Sequence, residues 1–505
     1  MEDIVQPTIC LPSELWLEIF VKTTERDNLS HSRLETARRC SQVCQLWRTL
    51  LLSSAHIWGR LMELDYLGHA TDEWKELVLS RVGNALLWIT GRISSTTWRF
   101  FVKLLDEKWE NVQILEVLES PGTRIYPEGT GAFLGRPAPN LVSLNLRLYN
   151  RFPMTQTFTL FSNFAPRLRE IETSFVLNIN PPFTWLSNLH RISFHANYTS
   201  SNILSILQVM PQLRRLRIWR GQSSNVVHQP EGVSDIIPIR LPRLQSLQIF
   251  HCTQSDALPF LELIKPSPTC SITILTTCSP PVNNPDSYVG IQDPSSRFYC
   301  ASLPWILAYM KARGPRSISL AADDLNHVFR MLDHRSPQIS QLYKLEEECL
   351  DIKVHLDNYC HSALAELARS SDIFSSVRQL SLFVDKHDSW VPLYNAFSSV
   401  TELTLCAYKI DLTALHADHK EQKQSILFPQ LRSLRVVLEG SASALDSDIV
   451  PGILDFMENR AGVGLPLSCF HLLVQDPGPR IALSDNDKER LANLPGLSVK
   501  ISHHH

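Results

Sequence analysis

Residues 211–219, PQLRRLRIW, carry the pattern that decides the fold of this chain. Two residues separate the apolar Leu213 from Leu216, and one residue separates Leu216 from Ile218. This spacing predicts a short strand with one buried face. The same spacing recurs at Val112/Leu115/Val117, Leu141/Leu144/Leu146, Leu189/Ile192/Phe194, Leu244/Leu247/Ile249, Val377/Leu380/Leu382, Val400/Leu403/Leu405 and Leu431/Leu434/Val436, with a weaker copy at Leu168/Ile171. Because the first six starts lie 21 to 31 residues apart, we infer a repeated structural unit.

Amphipathic segments between these strands predict helices, and the candidates are 202–210, 257–264, 303–311 and 449–459. A strand followed by a helix cannot bury its apolar face alone and must stack on its neighbours. The pattern predicts an α/β fold over residues 111–505, a solenoid with parallel strands on its concave face. The proline-rich segment 265–296 is expected to be a loop. Residues 301–370 are expected to be mostly helical, with candidate strands at 317–320 and 352–356.

This body resembles the irregular leucine-rich-repeat domains. In such repeats an Asn or Cys usually closes the strand, and here only Asn197 and Cys252 occupy that position. The resemblance therefore implies repeats that vary in length and curvature.

Residues 9–58 form a separate helical segment ahead of the repeats. Leu11, Leu15 and Ile19 fall four residues apart, which predicts one apolar helix face that opens after Pro12. A second apolar stripe follows the polar segment 23–32, which is expected to be a loop. A chain this short buries a modest share of its surface, so its many large apolar side chains indicate a partner surface. We assign residues 1–60 to this helical domain and 61–110 to a helical linker or cap.

Six short elements of this domain, taken in order, resemble the F-box: Leu11-Pro12, Glu14-Leu15, Ile19-Phe20, Val43-Cys44, Trp47-Arg48 and Ile57-Trp58. Together with the repeats, they make the chain similar to fungal-type F-box proteins with leucine-rich-repeat bodies. The resemblance implies docking on a Skp-type linker protein, and through it a cullin, by Leu11, Pro12, Leu15, Ile19, Phe20, Val43, Trp47 and Trp58. The segment between Phe20 and Val43 is longer than in compact F-boxes. The alternative is an ordinary helical hairpin packed on its own domain.

Composition excludes several classes of protein. The 505 residues carry a formal net charge of -3, which gives no general electrostatic attraction to nucleic acid or to an anionic membrane. No basic segment or long apolar run follows Met1, so we expect no secretory signal, and no apolar run has the roughly 18 residues of a membrane span. The eleven cysteines lack framework spacing and are expected to be reduced thiols in the cytoplasm or nucleus.

Sequence motifs for catalysis are missing. The chain contains no GxxxxGK[ST], HExxH, GxSxG or paired CxxC motif. Cys40 and Cys44 lie one helical turn apart, with His56 downstream, but a fourth metal ligand is missing, so buried thiols are the favoured interpretation. We therefore expect no catalytic residue, no metal and no cofactor, although a Cys–His pair assembled in space stays open. The histidines 503–505 receive no role.

Alternate strand residues are expected on the concave face, where a protein client could bind. Three neighbouring strands would present Arg191, Ser193, His195, Arg215, Arg217, Trp219, Ser246, Gln248 and Phe250. Arg and Trp are favoured interface anchors, and clustered Arg binds carboxylates and phosphates, so we identify Arg191, His195, Arg215, Arg217, Trp219 and Phe250 as candidates for an acidic or phosphorylated client. The alternative is a solvated face whose arginines pair with Glu170 and Glu172.

The resemblance to F-box proteins with leucine-rich repeats implies a non-catalytic substrate adaptor of an SCF-type (Skp, cullin, F-box) ubiquitin ligase. By resemblance, the helical domain of residues 1–60, called the head below, holds the linker protein, and the repeats hold the client. The client then reacts because it is held close to the ubiquitin-charged enzyme. Two alternatives remain, a repeat scaffold acting outside any ligase and an enzyme whose site has no sequence signature.

Overall fold

We describe the chain from a computed structural model. The residues described are 11–23, 33–120, 131–148, 159–175, 177, 179, 183–195, 198–219, 238–265, 267–276, 294–323, 328–333, 351–355, 367–384, 391–407, 426–439, 449–475 and 484–504. Their contacts divide the chain into two compact units, Met1–Arg214 and Arg215–His505.

The first unit begins with helices and continues with strands. Its helices are α1 (Ser13–Thr23), α2 (Arg33–Cys40), α3 (Gln45–Ser53), α4 (Ala55–Arg60), α5 (Leu64–Leu67), α6 (Asp72–Val82), α7 (Trp98–Lys108) and α8 (Ser200–Leu207). Its strands are β1 (Met62–Glu63), β2 (Leu87–Ile93), β3 (Val112–Glu119), β4 (Ser143–Arg147), β5 (Glu170–Thr173) and β6 (Arg191–Phe194). Short 3₁₀ turns at Trp109–Asn111, Ala132–Gly135, Leu160–Asn163 and Thr184–Asn188 precede β3 to β6.

The strands β1 to β6 pair in parallel, each with the next along the chain. Their apolar residues stand in register, as in the row Leu115, Leu144, Ile171 and Ile192, in which each side chain is almost completely buried. Buried apolar rows of this kind are the main stabilising feature of a parallel sheet, because both its faces are usually covered.

The second unit contains most of the strands. They are β7 (Arg215–Trp219), β8 (Ile239–Arg240), β9 (Ser246–Cys252), β10 (Ile264–Lys265), β11 (Ser271–Thr276), β12 (Ser317–Asp323), β13 (Val328–Asp333), β14 (Asp351–His355), β15 (Gln379–Val384), β16 (Glu402–Ala407), β17 (Ser433–Glu439), β18 (Cys469–Gln475) and β19 (Ser498–His504). Its helices are Gln254–Leu263, Pro294–Arg313, Val391–Ala396, Ile449–Gly462 and Asp485–Ala492.

The main sheet of this unit follows the order β7, β9, β11, β14, β13, β12, β15, β16, β17, β18, β19. All neighbours are parallel except β13, which runs antiparallel to both β14 and β12. The short strands β8 and β10 form a separate parallel pair. The antiparallel strand β13 thus lies between two runs of parallel strands.

The structure confirms an α/β protein with parallel strands. Every strand predicted from apolar spacing forms, namely β3, β4, β5, β6, β7, β9, β15, β16 and β17. The two candidate strands in residues 301–370 correspond to β12 and β14, and the four predicted helices form at 200–207, 254–263, 294–313 and 449–462.

The predicted loop at 265–296 is wrong in part, because it contains β11. The strand sequence SITILT alternates side chains, and Ile272 and Ile274 are completely buried beside β9. Prolines surround this strand without interrupting it, which is why the composition suggested a loop. Strands β1 and β2 within residues 61–110 were not predicted either. Residues 277–293, and residues 24–32 of the predicted loop in the head, lie outside the described part of the chain, as does Asn197.

Within the described residues, no helix combines the length and the apolar character that a membrane crossing requires.

Candidate docking site

Three aromatic rings hold helices α1 and α3 together. The ring centroid of Trp47 on α3 lies 4.7 Å from that of Trp16 and 5.2 Å from that of Phe20, both on α1. Trp16 and Phe20 stack at 6.1 Å. Aromatic pairs at such distances contribute roughly 0.5–1.5 kcal/mol each beyond their burial. The cluster therefore fixes the two helices against each other.

Four large apolar side chains on these helices remain in solvent. The exposed fractions are 44% for Leu15 and 39% for Ile19 on α1, 63% for Val43 just before α3, and 50% for Leu46 on α3. Leu15 and Ile19 are one helical turn apart, so they lie on one face of α1. We call Leu15, Ile19, Val43 and Leu46 the docking patch. Among the described residues of 11–60, these four are the exposed large apolar side chains.

The other predicted head residues have different surroundings. Phe20 is 1% exposed and Trp58 is 3% exposed, so both support the core of the head. The Trp58 Nε1 donates to the carbonyl of Leu51 at 2.8 Å. Leu11 is half-buried, Pro12 is exposed ahead of the first turn, and Trp47 is half-buried within the ring cluster. Sequence reasoning missed Leu46. Its place beside Trp47-Arg48, one of the six F-box-like elements, was a usable signal.

The thiols of the head differ from expectation. Cys44 is exposed rather than buried, and Cys40 is half-buried. Cys44 is the N-cap of α3, and its Sγ accepts the backbone N–H of Trp47 at 3.5 Å. A cap position explains its exposure, because the cap residue lies outside the first helical turn. Across the described residues, no group of His, Cys, Asp and Glu side chains is arranged to hold a metal ion.

A buried ion pair connects the head to the sheet of the first unit. Arg33 Nε donates to Glu63 Oε1 at 2.8 Å, and the two side chains are only 8% and 12% exposed. The Glu63 carboxylate also accepts the backbone N–H groups of Arg33 at 3.1 Å and Leu34 at 3.5 Å. Arg33 Nη2 donates to Thr90 Oγ1 on β2 at 2.6 Å. A carboxylate at the start of a helix satisfies otherwise unpaired donors and favours the positive end of the helix dipole. These contacts fix α2 on β1 and β2.

The client candidates of the first unit lie among acidic neighbours. Arg191 Nη1 is 3.7 Å from Glu170 Oε2, so this arginine forms the pair that the solvated-face alternative expects. On the adjacent strands, Arg147 Nη2 lies 2.7 Å from Glu172 Oε1. His195 follows β6 and is half-buried. The charges on this face therefore compensate one another across neighbouring strands.

The client candidates of the second unit pack on one another. Arg217 Nε donates to Gln248 Oε1 at 2.8 Å, and the Arg217 guanidinium lies 6.0 Å from the ring centroid of Phe250. The Trp219 and Phe250 ring centroids are 4.7 Å apart. Phe250 is only 3% exposed, and Arg215, Arg217 and Trp219 are half-buried. Phe250 therefore supports the face from within, and the half-buried residues are the ones that remain accessible.

No protein-family model matches the chain, and no curated protein matches it either.

Proposed function

We propose that this chain is the substrate-recognition adaptor of an SCF-type ubiquitin ligase, in which the helical head docks on a Skp-type linker protein. The observation that carries the proposal is the docking patch. Three of its four residues, Leu15, Ile19 and Val43, belong to the F-box-like motif, whereas the buried motif members Phe20 and Trp58 support the core of the head.

The patch offers enough apolar surface for a substantial share of a binding energy. Full burial of one such side chain contributes roughly 1.5–3 kcal/mol, so covering the remaining half of each contributes about 0.7–1.5 kcal/mol. Over the four residues this amounts to roughly 3–6 kcal/mol before the costs of association. The rest of the affinity must come from polar contacts around the patch and from residues outside it.

For the rest of the chain we propose an irregular leucine-rich-repeat solenoid that recruits a protein client. The support is the succession of parallel strands with in-register buried rows, several of them preceded by a 3₁₀ turn or a helix. In this role the chain supplies no reactive group. It raises the effective concentration of the client's lysines near a ubiquitin-charged enzyme. The cullin would be reached through the linker protein, in the cytoplasm or nucleus.

A binding experiment with matched variants tests the proposal. The full chain is immobilised and exposed to a purified Skp-type linker protein, beside the double variant Leu15→Asp, Ile19→Asp. Both side chains are substantially exposed, so the variant is expected to fold. Losing their burial and desolvating two unpaired carboxylates should weaken binding by more than about 3 kcal/mol, or roughly 100-fold.

The matched control is Leu77→Asp on α6. This leucine is 42% exposed, close to the 44% of Leu15, but lies outside the head. Linker binding that survives Leu77→Asp and is lost in the double variant supports the proposal. Absence of binding by the correctly folded parent at high concentration would reject it. Binding without ubiquitination of any co-purified client would instead favour a scaffold outside a ligase.

A further inference from the structure

Strand β19 of the second unit has one edge along which no described strand lies. Strand β19 pairs in parallel with β18 through residues 498–504, and no second partner strand lies along β19 among the described strands. An unpaired edge presents backbone N–H and C=O groups that can bind another extended chain. The side chains on the two faces of β19 determine which chain would fit.

On one face, β19 continues the apolar rows of the core. Val499 stands in register with Phe470 and Leu434, and Ile501 stands in register with Leu472 and Val436. The residues on β17 and β18 are at most 3% exposed, but Val499 is 41% exposed and Ile501 is 45% exposed. Among the described strands, the rows thus finish with two exposed side chains that one further strand would cover.

One cross-strand row on the opposite face of the same strands is cationic. Arg435, His471 and Lys500 are paired in register on β17, β18 and β19, and the row continues to Thr404 without an acidic residue. Arg435 and Lys500 are exposed, and His471 is half-buried. This row thus differs from the first unit, where Arg147 and Arg191 lie beside glutamates.

Hydrogen bonds hold the histidine of this row in one orientation. Arg435 Nε donates to His471 Nδ1 at 3.3 Å, and His471 Nε2 lies 3.0 Å from Ser502 Oγ. Because arginine only donates, the ring proton lies on Nε2 and is donated to Ser502. Partial burial, together with the charges of Arg435 and Lys500, lowers the pKa of His471. The positive charge of the row therefore comes mainly from Arg435 and Lys500 at neutral pH.

We propose that the edge of β19 binds an extended acidic peptide by strand addition. Successive side chains of a strand point to opposite faces, so the peptide must alternate apolar and acidic residues. The apolar residues cover Val499 and Ile501, and the acidic or phosphorylated residue between them meets Lys500 on the edge strand itself. The inference concerns the second unit alone, and its failure or success is independent of linker binding by the head.

Fluorescence anisotropy of labelled synthetic peptides tests this proposal with the full chain. The main probe has the core Val-Glu-Val-Glu-Val, and a second probe replaces each Glu by phosphoserine. A third probe replaces each Glu by Lys. We expect the two anionic probes to bind and the lysine probe not to bind. A preference between carboxylate and phosphate distinguishes an acidic segment from a phosphorylated one.

Two further comparisons identify the mode of binding. In an extended peptide, the amides of alternate residues point to opposite edges, so N-methylation of every second amide blocks the donors along one edge. The peptide is methylated either on the odd-numbered or on the even-numbered residues. Only the pattern that blocks the edge facing β19 should abolish binding. Lys500→Glu should weaken binding at least about tenfold, because a like charge replaces an attractive one. The control Lys488→Glu makes the same charge change on helix 485–492 and should leave binding unchanged.

Three outcomes would overturn the proposal. The first is the absence of binding by either anionic probe at millimolar concentration. The second is binding that neither methylation pattern nor Lys500→Glu weakens. The third is self-association of the chain that Val499→Asp abolishes, since a second copy of the chain would then occupy the edge.

Discussion

Replacing Glu63 by Gln tests how the head is held on the sheet. The carboxylate accepts bonds from Arg33 Nε and from the backbone N–H groups of Arg33 and Leu34, all in a nearly buried setting. Gln has the same shape but no charge, so Arg33 would remain buried without its counter-ion. Removal of one partner of a buried pair costs about 3–5 kcal/mol, because the other charge is left uncompensated. A domain of ordinary stability, about 5–15 kcal/mol, would lose a large fraction of its stability.

Native-state hydrogen exchange is the appropriate assay, because two compact units need not unfold in one step. The amides of α2 and of β1 should exchange roughly 100-fold to 5,000-fold faster in Glu63→Gln, which corresponds to the lost 3–5 kcal/mol. Amides of strands β15 to β18 in the second unit serve as the internal reference. Their exchange should not change.

A double variant separates the charge from the packing. With Arg33→Met and Glu63→Met together, no buried charge remains, and apolar replacement of a buried pair is often neutral or stabilising. The double variant should therefore be less destabilised than Glu63→Gln alone. The account of the buried pair would be refuted if Glu63→Gln lowered the free energy of local opening, measured by exchange, by less than about 1 kcal/mol. It would also be refuted if the double variant were as unstable as Glu63→Gln.

Two further predictions concern hydrogen bonds and pH. Tyr198 is 7% exposed, and its hydroxyl accepts the N–H of Leu177 and donates to the carbonyl of Leu177. Burial raises the pKa of this hydroxyl. Tyr198→Phe should therefore lower the free energy of unfolding by about 1–3 kcal/mol, and an unchanged midpoint of thermal unfolding would contradict this. Hydrogen bonds from Arg38 and then Arg39 lower the pKa of Glu35 from 4.5 to about 2. The ionised carboxylate thus stabilises the folded head above pH 4.5, and this contribution is lost as the pH falls toward 2. When unfolding is followed by circular dichroism, the parent should be more stable than Glu35→Gln at neutral pH, and the two stabilities should become equal at low pH.

The positions of most strands could be predicted because the regularly spaced apolar residues are the ones that form the core. Leu115, Leu144 and Ile171 are buried in one row, and each was visible in the sequence as part of a repeated pattern. Strand β18 carries the same spacing at 467, 470 and 472, although it was not among the predicted strands. Strand β13 had no such signal, because its antiparallel pairing breaks the repeat.

The division of the head into core and surface could not be read from the sequence. Ile19 and Phe20 are neighbours with similar apolar character, yet one is 39% exposed and the other 1% exposed. The difference arises from the ring cluster with Trp47, which brings together residues far apart in the chain. The pair between Arg33 and Glu63 is separated by thirty residues and follows no periodic pattern, so only the tertiary structure reveals it.

The most direct test of the central claim is a hydroxyl-radical footprint of the complex between the full chain and a Skp-type linker protein. The account predicts that Leu15, Ile19, Val43 and Leu46 lose reactivity when the linker protein binds, while Leu77, of similar exposure, stays reactive. Binding that leaves the docking patch fully reactive, or that protects Leu77 instead, would contradict the assignment of the head as a linker-docking module.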